Sequence, residues 1–318
     1  TDDAELGNIY IAGGIFTIEA EQDGFHATGS IVVDDGTITV NSGDDGFHAD
    51  LDTVIHGGTI LVEKSYEGLE GKRVVVNGGD ITVNASDDGA NAAGSGDDDS
   101  NAASANNDSS AAVNSGDDSS ISGAADGKEP PQMPPDTENG SDMQPSQDFD
   151  PENAPSGGNA PQDFDPGDAP SDGDAPQMMQ GGPGGGGNSE LYIKITGGTL
   201  TVSADGDGLD SNGGLLVTGG TTIVYGPTSD GDSALDYDGS AIVTGGTLAA
   251  IGSAGMTESF DEASTQPVIT YYCTETQSAD TAITLTDSDG SALFTVTPEK
   301  AYASIGLNCP ESKLGVMY

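Results

Sequence analysis

A glycine pair, once replaced by Asp-Gly, precedes a short alternating apolar segment seven times in this chain. The pairs are Gly13-Gly14, Asp35-Gly36, Gly57-Gly58, Gly78-Gly79, Gly197-Gly198, Gly219-Gly220 and Gly245-Gly246. Their second members are spaced by 22, 22, 21, 119, 22 and 26 residues. A near-constant period of this size marks chains in which one supersecondary unit stacks on the next, so that neighbours bury a shared core.

Each pair opens a strand: Ile15-Phe16-Thr17-Ile18, Thr37-Ile38-Thr39-Val40, Thr59-Ile60-Leu61-Val62, Asp80-Ile81-Thr82-Val83, then Thr199-Leu200, Thr221-Thr222 and Thr247-Leu248. A second apolar run precedes the pair, as in Ile31-Val32-Val33, Val54-Ile55, Val74-Val75-Val76, Ile193-Lys194-Ile195, Leu215-Leu216-Val217 and Ile242-Val243. Period-two alternation turns Ile38, Val40, Ile60, Val62, Ile81, Val83, Leu200 and Val202 to one side and leaves Thr on the other. Parallel pairing needs a long return path, which a coil of about 22 residues supplies. The glycines suit corners where φ is positive or where coils approach too closely for a Cβ. These features predict an all-β chain, a parallel β-helix. An antiparallel sandwich would not restart the same side-chain type at the same phase.

The step of 119 locates an insertion. Residues 95–190 are Ser, Asn, Asp, Ala, Pro and Gly, holding 12 of the 16 prolines and ending in Gly181-Gly182-Pro183-Gly184-Gly185-Gly186-Gly187. Such a segment buries too little apolar surface to offset its ordering entropy and is expected to be a disordered acidic linker. It divides coils 1–94 from coils 191–256. Beyond Met256, Val268–Tyr272, Ala282–Leu285, Leu293–Val296 and Tyr302–Ile305 read as strands, with a tight turn at Asp287-Ser288-Asp289-Gly290. Residues 257–318 are thus expected to form an antiparallel β meander that caps the solenoid. The other end shows no cap, which points to further coils upstream, and Thr1-Asp2-Asp3 looks like a processed or truncated start. Cys273 and Cys309 fit either one disulfide or two free buried thiols.

With 54 acids against 7 Lys and Arg, the net charge is −47. That excludes nucleic acid and anionic membranes as natural partners and makes cations the expected counterpart. No run of 18 apolar residues spans a membrane. Scarce bulky hydrophobics and absent Trp favour a thin, repetitive core over a wide one.

The acids have a pattern. Aligned turns read Gln22-Asp23-Gly24-Phe25-His26, Asp44-Asp45-Gly46-Phe47-His48, Tyr66-Glu67-Gly68-Leu69-Glu70, Asp87-Asp88-Gly89-Ala90-Asn91, Gly206-Asp207-Gly208-Leu209-Asp210 and Asp232-Ser233-Ala234-Leu235-Asp236. One axial file is Asp23, Asp45, Glu67, Asp88, Asp207, Asp232; a second is His26, His48, Glu70, Asn91, Asp210, Asp236. Neighbours about 4.8 Å apart repel by about 3 kcal/mol at an effective dielectric near 20. Asx-type bonding to local amides accounts for any single Asp-Gly. A register-matched ladder calls for calcium, which takes six to eight hard oxygen ligands in loose geometry. Asp44, Asp87, Asp205 and Asp230 stand by as supporting ligands. His26 and His48 are expected to pack or hydrogen-bond, and no His/Cys cluster tight enough for zinc is apparent.

These motifs resemble those of bacterial carbohydrate-binding right-handed β-helix proteins of the cellulolytic clostridial type. The resemblance rests on Ser42-Gly43-Asp44-Asp45-Gly46-Phe47-His48-Ala49-Asp50, Lys64–Gly71, Ala85–Ala93, Asp205–Gly213, Gly226-Pro227-Thr228 and Ala234-Leu235-Asp236-Tyr237-Asp238-Gly239. It implies a right-handed helix similar in fold to calcium-dependent pectate lyases. It further implies a secreted or surface protein binding Ca2+ and plant cell-wall polysaccharide, both cellulose and pectate-type (polygalacturonate) chains. Calcium roles then carry over to Asp45, Glu67, Asp88, Asp207 and Asp210. Tyr66, Tyr192, Tyr225 and Tyr237 are the aromatic candidates for sugar stacking. A lyase would need a Lys or Arg base beside the cation, and Lys64, near the Glu67 rung, is the one suggestive placement. A calcium-stiffened structural protein is the third possibility.

Overall fold

The computed structural model describes residues 7–94 and 188–312. The expected disordered insertion lies outside them, apart from its last three residues. Seven coils stack in parallel. The first two comprise β1 (Ile9–Ile11), β2 (Ile15–Glu19), β3 (Phe25–Ala27), and β4 (Ile31–Val33), β5 (Thr37–Asn41), β6 (Phe47–Ala49). The third and fourth comprise β7 (Asp52–Ile55), β8 (Thr59–Ser65), β9 (Leu69–Gly71), and β10 (Arg73–Val76), β11 (Asp80–Ala85), β12 (Ala90–Ala92). The fifth and sixth are β13 (Tyr192–Ile195), β14 (Thr199–Ala204), β15 (Leu209–Ser211), and β16 (Gly214–Val217), β17 (Thr221–Tyr225), β18 (Leu235–Tyr237). The seventh adds β19 (Ala241–Val243) and β20 (Thr247–Gly252).

Three sheets result, each of the first six coils giving one strand to each and the seventh a strand to the first two: β1-β4-β7-β10-β13-β16-β19, β2-β5-β8-β11-β14-β17-β20 and β3-β6-β9-β12-β15-β18. The sequence pattern predicts the first two. The third was read as a turn, because strands of three residues are too short to show an alternation. Coil four pairs directly with coil five, Val74 opposite Ile193 and Ile81 opposite Leu200, so the insertion leaves the ladder unbroken.

Ile38, Val40, Ile60, Val62, Ile81, Val83, Leu200 and Val202 all point inward and are buried. Phe47, Leu69, Ala90, Leu209 and Leu235 meet them from the third sheet. Each Val, Leu, Ile or Phe among them contributes about 1.5–3 kcal/mol when fully buried. Val32, Val54, Val75 and Tyr192 form a separate buried cluster on the other face of the first sheet. Its strands therefore read as continuous apolar runs rather than alternations.

The glycines divide by cause. Gly58 has φ +95°, as the second member of each pair requires. Gly46 does not; there a Cβ would stand 2.6 Å from the Gly68 carbonyl oxygen of the next coil.

Past the coils come β21 (Ile269–Gln277), β22 (Ile283–Thr286), β23 (Ala292–Val296) and β24 (Tyr302–Asn308). All pair antiparallel, but not in consecutive order. β24 lies between β20 and β21, extending the second sheet, while β22 and β23 form a separate hairpin. The hairpin turn is where Asp287-Ser288-Asp289-Gly290 placed it, with the Asp287 carboxylate accepting the Asp289 and Ser291 N–H groups at 2.9 and 2.8 Å. Cys273 and Cys309 are both free thiols. They lie toward opposite ends of the β21–β24 pair, where Tyr272 faces Ser304 and Ile269 faces Leu307.

Candidate functional site

The third sheet lines up His26, His48, Glu70, Asn91, Asp210 and Asp236 as direct register partners. This is the second file read from the sequence. The first file sits on the turn just before. Gly24, Gly46, Gly68 and Gly89 donate their N–H groups to the carbonyls of Asp45, Glu67, Asp88 and Asp207 in the following coil, at 2.8–2.9 Å. Gly208, however, donates to Ser233, at 3.0 Å. The sixth place thus belongs to Ser233, and Asp232 stands one residue upstream, accepting from the Ser229 hydroxyl at 3.3 Å. The longer step of 26 residues into that coil shifts the alignment.

The first-file carboxylates do bond amides, but across coils rather than within their own turns. Asp23 accepts the Asp45 N–H at 3.3 Å, Asp45 that of Glu67 at 3.2 Å, Asp88 that of Asp207 at 2.7 Å, and Asp207 that of Ser233 at 2.5 Å. Each acid therefore satisfies a backbone donor that the parallel ladder leaves over.

These bonds do not neutralise the charge. Burial, with repulsion from neighbouring acids, pushes Glu67 up to about 10, Asp88 to about 8 and Asp210 to about 7. Asp207 rises to about 6 and Asp236 is also raised. Among the described residues no Lys or Arg ion pair reaches Asp88, Asp207, Asp210 or Asp236. Glu258, outside the repeat and so without a periodic signal, adds another carboxyl facing Asp236 and is itself pushed up to about 7, chiefly by burial.

The other end of the ladder differs. His48 Nδ1 lies 3.0 Å from Asp45 Oδ2 and in ion-pair contact with Glu70 Oε2. Those two acids hold the imidazolium, raising His48 to about 11. His26 contacts Asp23 at 2.6 Å, and the two rings stack at 4.5 Å with 5° between planes. Among the described residues, three groups bring potential ligand atoms within 4.8 Å of one another: Asp23, His26, His48; Asp45, His48, Glu70; and Asp23, Asp44, Asp45. The histidines thus pack and hydrogen-bond as expected, and in doing so bring their ring nitrogens among the ladder's carboxylates.

Asn91 donates to both oxygens of Glu67, at 3.2 and 3.1 Å, while its own Oδ1 is buried without a hydrogen-bond partner. Asp87 accepts from the Tyr66 hydroxyl and holds that phenol above its ordinary range. Asp205 is taken up by Lys300, at 2.7 Å, from the segment after the coils. Asp230 is exposed.

Tyr192 and Tyr225 are buried, which removes them as stacking platforms. Tyr237 donates to the Ser259 carbonyl. Among the described residues, the exposed tyrosines are instead Tyr10, Tyr271 and Tyr272. Lys64 lies in a strand register shift opposite Asn41, in an open groove with Glu19, Glu21, Ser42 and Gly43.

Residues 1–127, which include the first four coils, match a family model described as "Carbohydrate-binding domain-containing protein". The match spans less than half of the 318 residues, and it supports carbohydrate binding. No curated protein and no solved structure matches the chain.

Proposed function

We propose that this chain is a non-catalytic binder of plant cell-wall polysaccharide, cellulose or pectate-type, belonging to a secreted or surface protein and dependent on calcium. The observation that carries the reading is the carbohydrate-binding match over the coils that begin the acidic ladder. Calcium is supported by the donor set. Asp88, Asp207, Asp210 and Asp236 are oxygen ligands without a basic partner among the described residues, and the buried Asn91 Oδ1 lacks a donor. Glu67 and Glu258 adjoin them. A cation there would satisfy the orphaned oxygen and offset the burial and mutual repulsion that hold protons on these acids.

Bound calcium would supply positive charge through which an acidic sugar chain can approach a protein of charge −47. The chain's own part is to hold carboxylates in axial register by the inter-coil amide bonds. Exposed Tyr10, Tyr271 and Tyr272 offer ring faces for sugar.

The test is sedimentation with insoluble cellulose and with calcium-gelled polygalacturonate, in calcium and in chelator. The expected result is retention in calcium and loss in chelator. Failure to bind either glycan in either condition overturns the binding reading. Chelator-sensitive melting without glycan affinity would assign the ladder to stiffening alone. Unsaturated sugar products would make the protein a lyase.

A further inference from the structure

The two ends of the ladder offer different chemistry. Toward the later coils the ligands are oxygens; at coils two and three an imidazole enters. We propose that Asp45, His48 and Glu70 form a separate site for a zinc-class divalent ion, distinct from the all-oxygen stretch proposed for calcium.

Three observations support it. His48 Nδ1, Asp45 and Glu70 oxygens converge within 4.8 Å, giving one nitrogen and two carboxylate donors, a set suited to a borderline metal rather than to calcium. Glu70 is 6% exposed, and its Oε2, in ion-pair contact with His48 Nδ1, is a buried oxygen without another hydrogen-bond partner that faces the cluster. The opposite ring nitrogen, Nε2, lies 3.6 Å from Asp50 Oδ1. With a metal on Nδ1 the ring would keep its proton on Nε2, on the side of this carboxylate, at ion-pair rather than hydrogen-bond distance.

The neighbouring group of Asp23, His26 and His48 does not qualify. Its rings are parallel and 4.5 Å apart, so their in-plane lone pairs run side by side. No ion at about 2.0–2.1 Å from each nitrogen lies in both planes. His26 instead stacks on His48 and limits its tilt. The site is therefore one imidazole and two carboxylates, open on the His48 side, whose side chain is 22% exposed.

The experiment uses the tag-free full chain, titrated with Co2+ under excess Ca2+ and followed by visible absorption. The expected result is saturable cobalt binding that Zn2+ displaces and Ca2+ does not. His48→Gln should weaken cobalt binding at least tenfold, while His26→Gln and His56→Gln change it little. Displacement of cobalt by calcium, or an unchanged affinity in a folded His48→Gln protein, overturns the proposal. Zinc-edge X-ray absorption on the unmutated protein decides the case if that variant does not fold. One imidazole in the shell supports the site, and an all-oxygen shell overturns it.

Discussion

Asp88 accepts the backbone N–H of Asp207 at 2.7 Å, although 119 residues of chain separate them. The bond joins coil four to coil five as Asp45 joins coil two to coil three through Glu67. All three strands of coil four also pair with those of coil five. Elsewhere the same connection, from the third sheet to the first, takes one to three residues. We therefore regard residues 95–187 as a separable insertion. Replacing them with a short Gly-Ser linker should leave one cooperative unfolding transition and a Tm no lower than that of the full chain. Loop-closure cost falls by about 0.6 kcal/mol with each halving of length. Circular-dichroism melting checks this; a non-cooperative or strongly lowered transition would refute separability.

The coil spacing is enforced at Gly46. Its φ is ordinary, so the demand is one of space: an added Cβ meets the Gly68 carbonyl oxygen at 2.6 Å and Val62 methyls at 3.0–3.1 Å. Backbone cannot yield without separating coils two and three. Gly46→Ala should cost about 1–3 kcal/mol, in the range of overpacked cores. Gly231→Ala, which meets nothing within 4 Å, should cost almost nothing. Urea unfolding of both variants measures the contrast.

What the sequence disclosed follows from the repeat itself. Once Ile38, Ile60, Ile81 and Leu200 fall at one phase, parallel pairing brings the side chains between them into register as well. His48, Glu70, Asn91 and Asp210 could therefore be aligned without coordinates. Departures occur where the period does. The 26-residue step puts Ser233 where Asp232 was expected, and the third sheet's three-residue strands carry no alternation. Lys300 and Glu258 reach the coils from a non-repeating segment, so no spacing announces them. Tyr192 looks like a surface aromatic in sequence, but packs against Val32, Val54 and Val75. Nor does local pattern decide that β24, rather than β21, pairs with the last coil.

Arg73 and Asp52 face each other in register on the first sheet, with Arg73 Nη2 donating to Asp52 Oδ2 at 2.7 Å and Asp52 2% exposed. Removing the guanidinium leaves a buried carboxylate, whose only other side-chain contact described is the Ser30 hydroxyl at 3.4 Å. Arg73→Ala should destabilise by about 3–5 kcal/mol, while replacing both partners with apolar residues of similar volume should recover most of that loss. Chemical denaturation of the single and double variants tests the pair. An Arg73→Ala protein as stable as the unmutated chain would show that the bond is dispensable.

The axial acids set a pH dependence whose sign is unusual for carboxylates. Asp207, Asp210 and Asp88 rise from 3.8 to about 6, 7 and 8, chiefly through burial. Below about pH 4 the folded and unfolded chains both carry these protons. Between about pH 4 and 8 the fold holds more of them than the unfolded chain does, so stability falls as pH rises. In chelator, Tm should drop on the order of 10 °C from pH 5 to pH 8, at roughly 2–4 °C per kcal/mol. Calcium should restore most of that loss at pH 8, where the acids are free to bind it, and do little at pH 5. A fourfold variant, with Asp88, Asp207, Asp210 and Asp236 each changed to Asn, should weaken both responses, the remaining pH dependence coming from Glu67, Glu70 and Glu258. A Tm that rises across this window in chelator, or that ignores calcium at pH 8, would mean the ladder neutralises its charge by some other route.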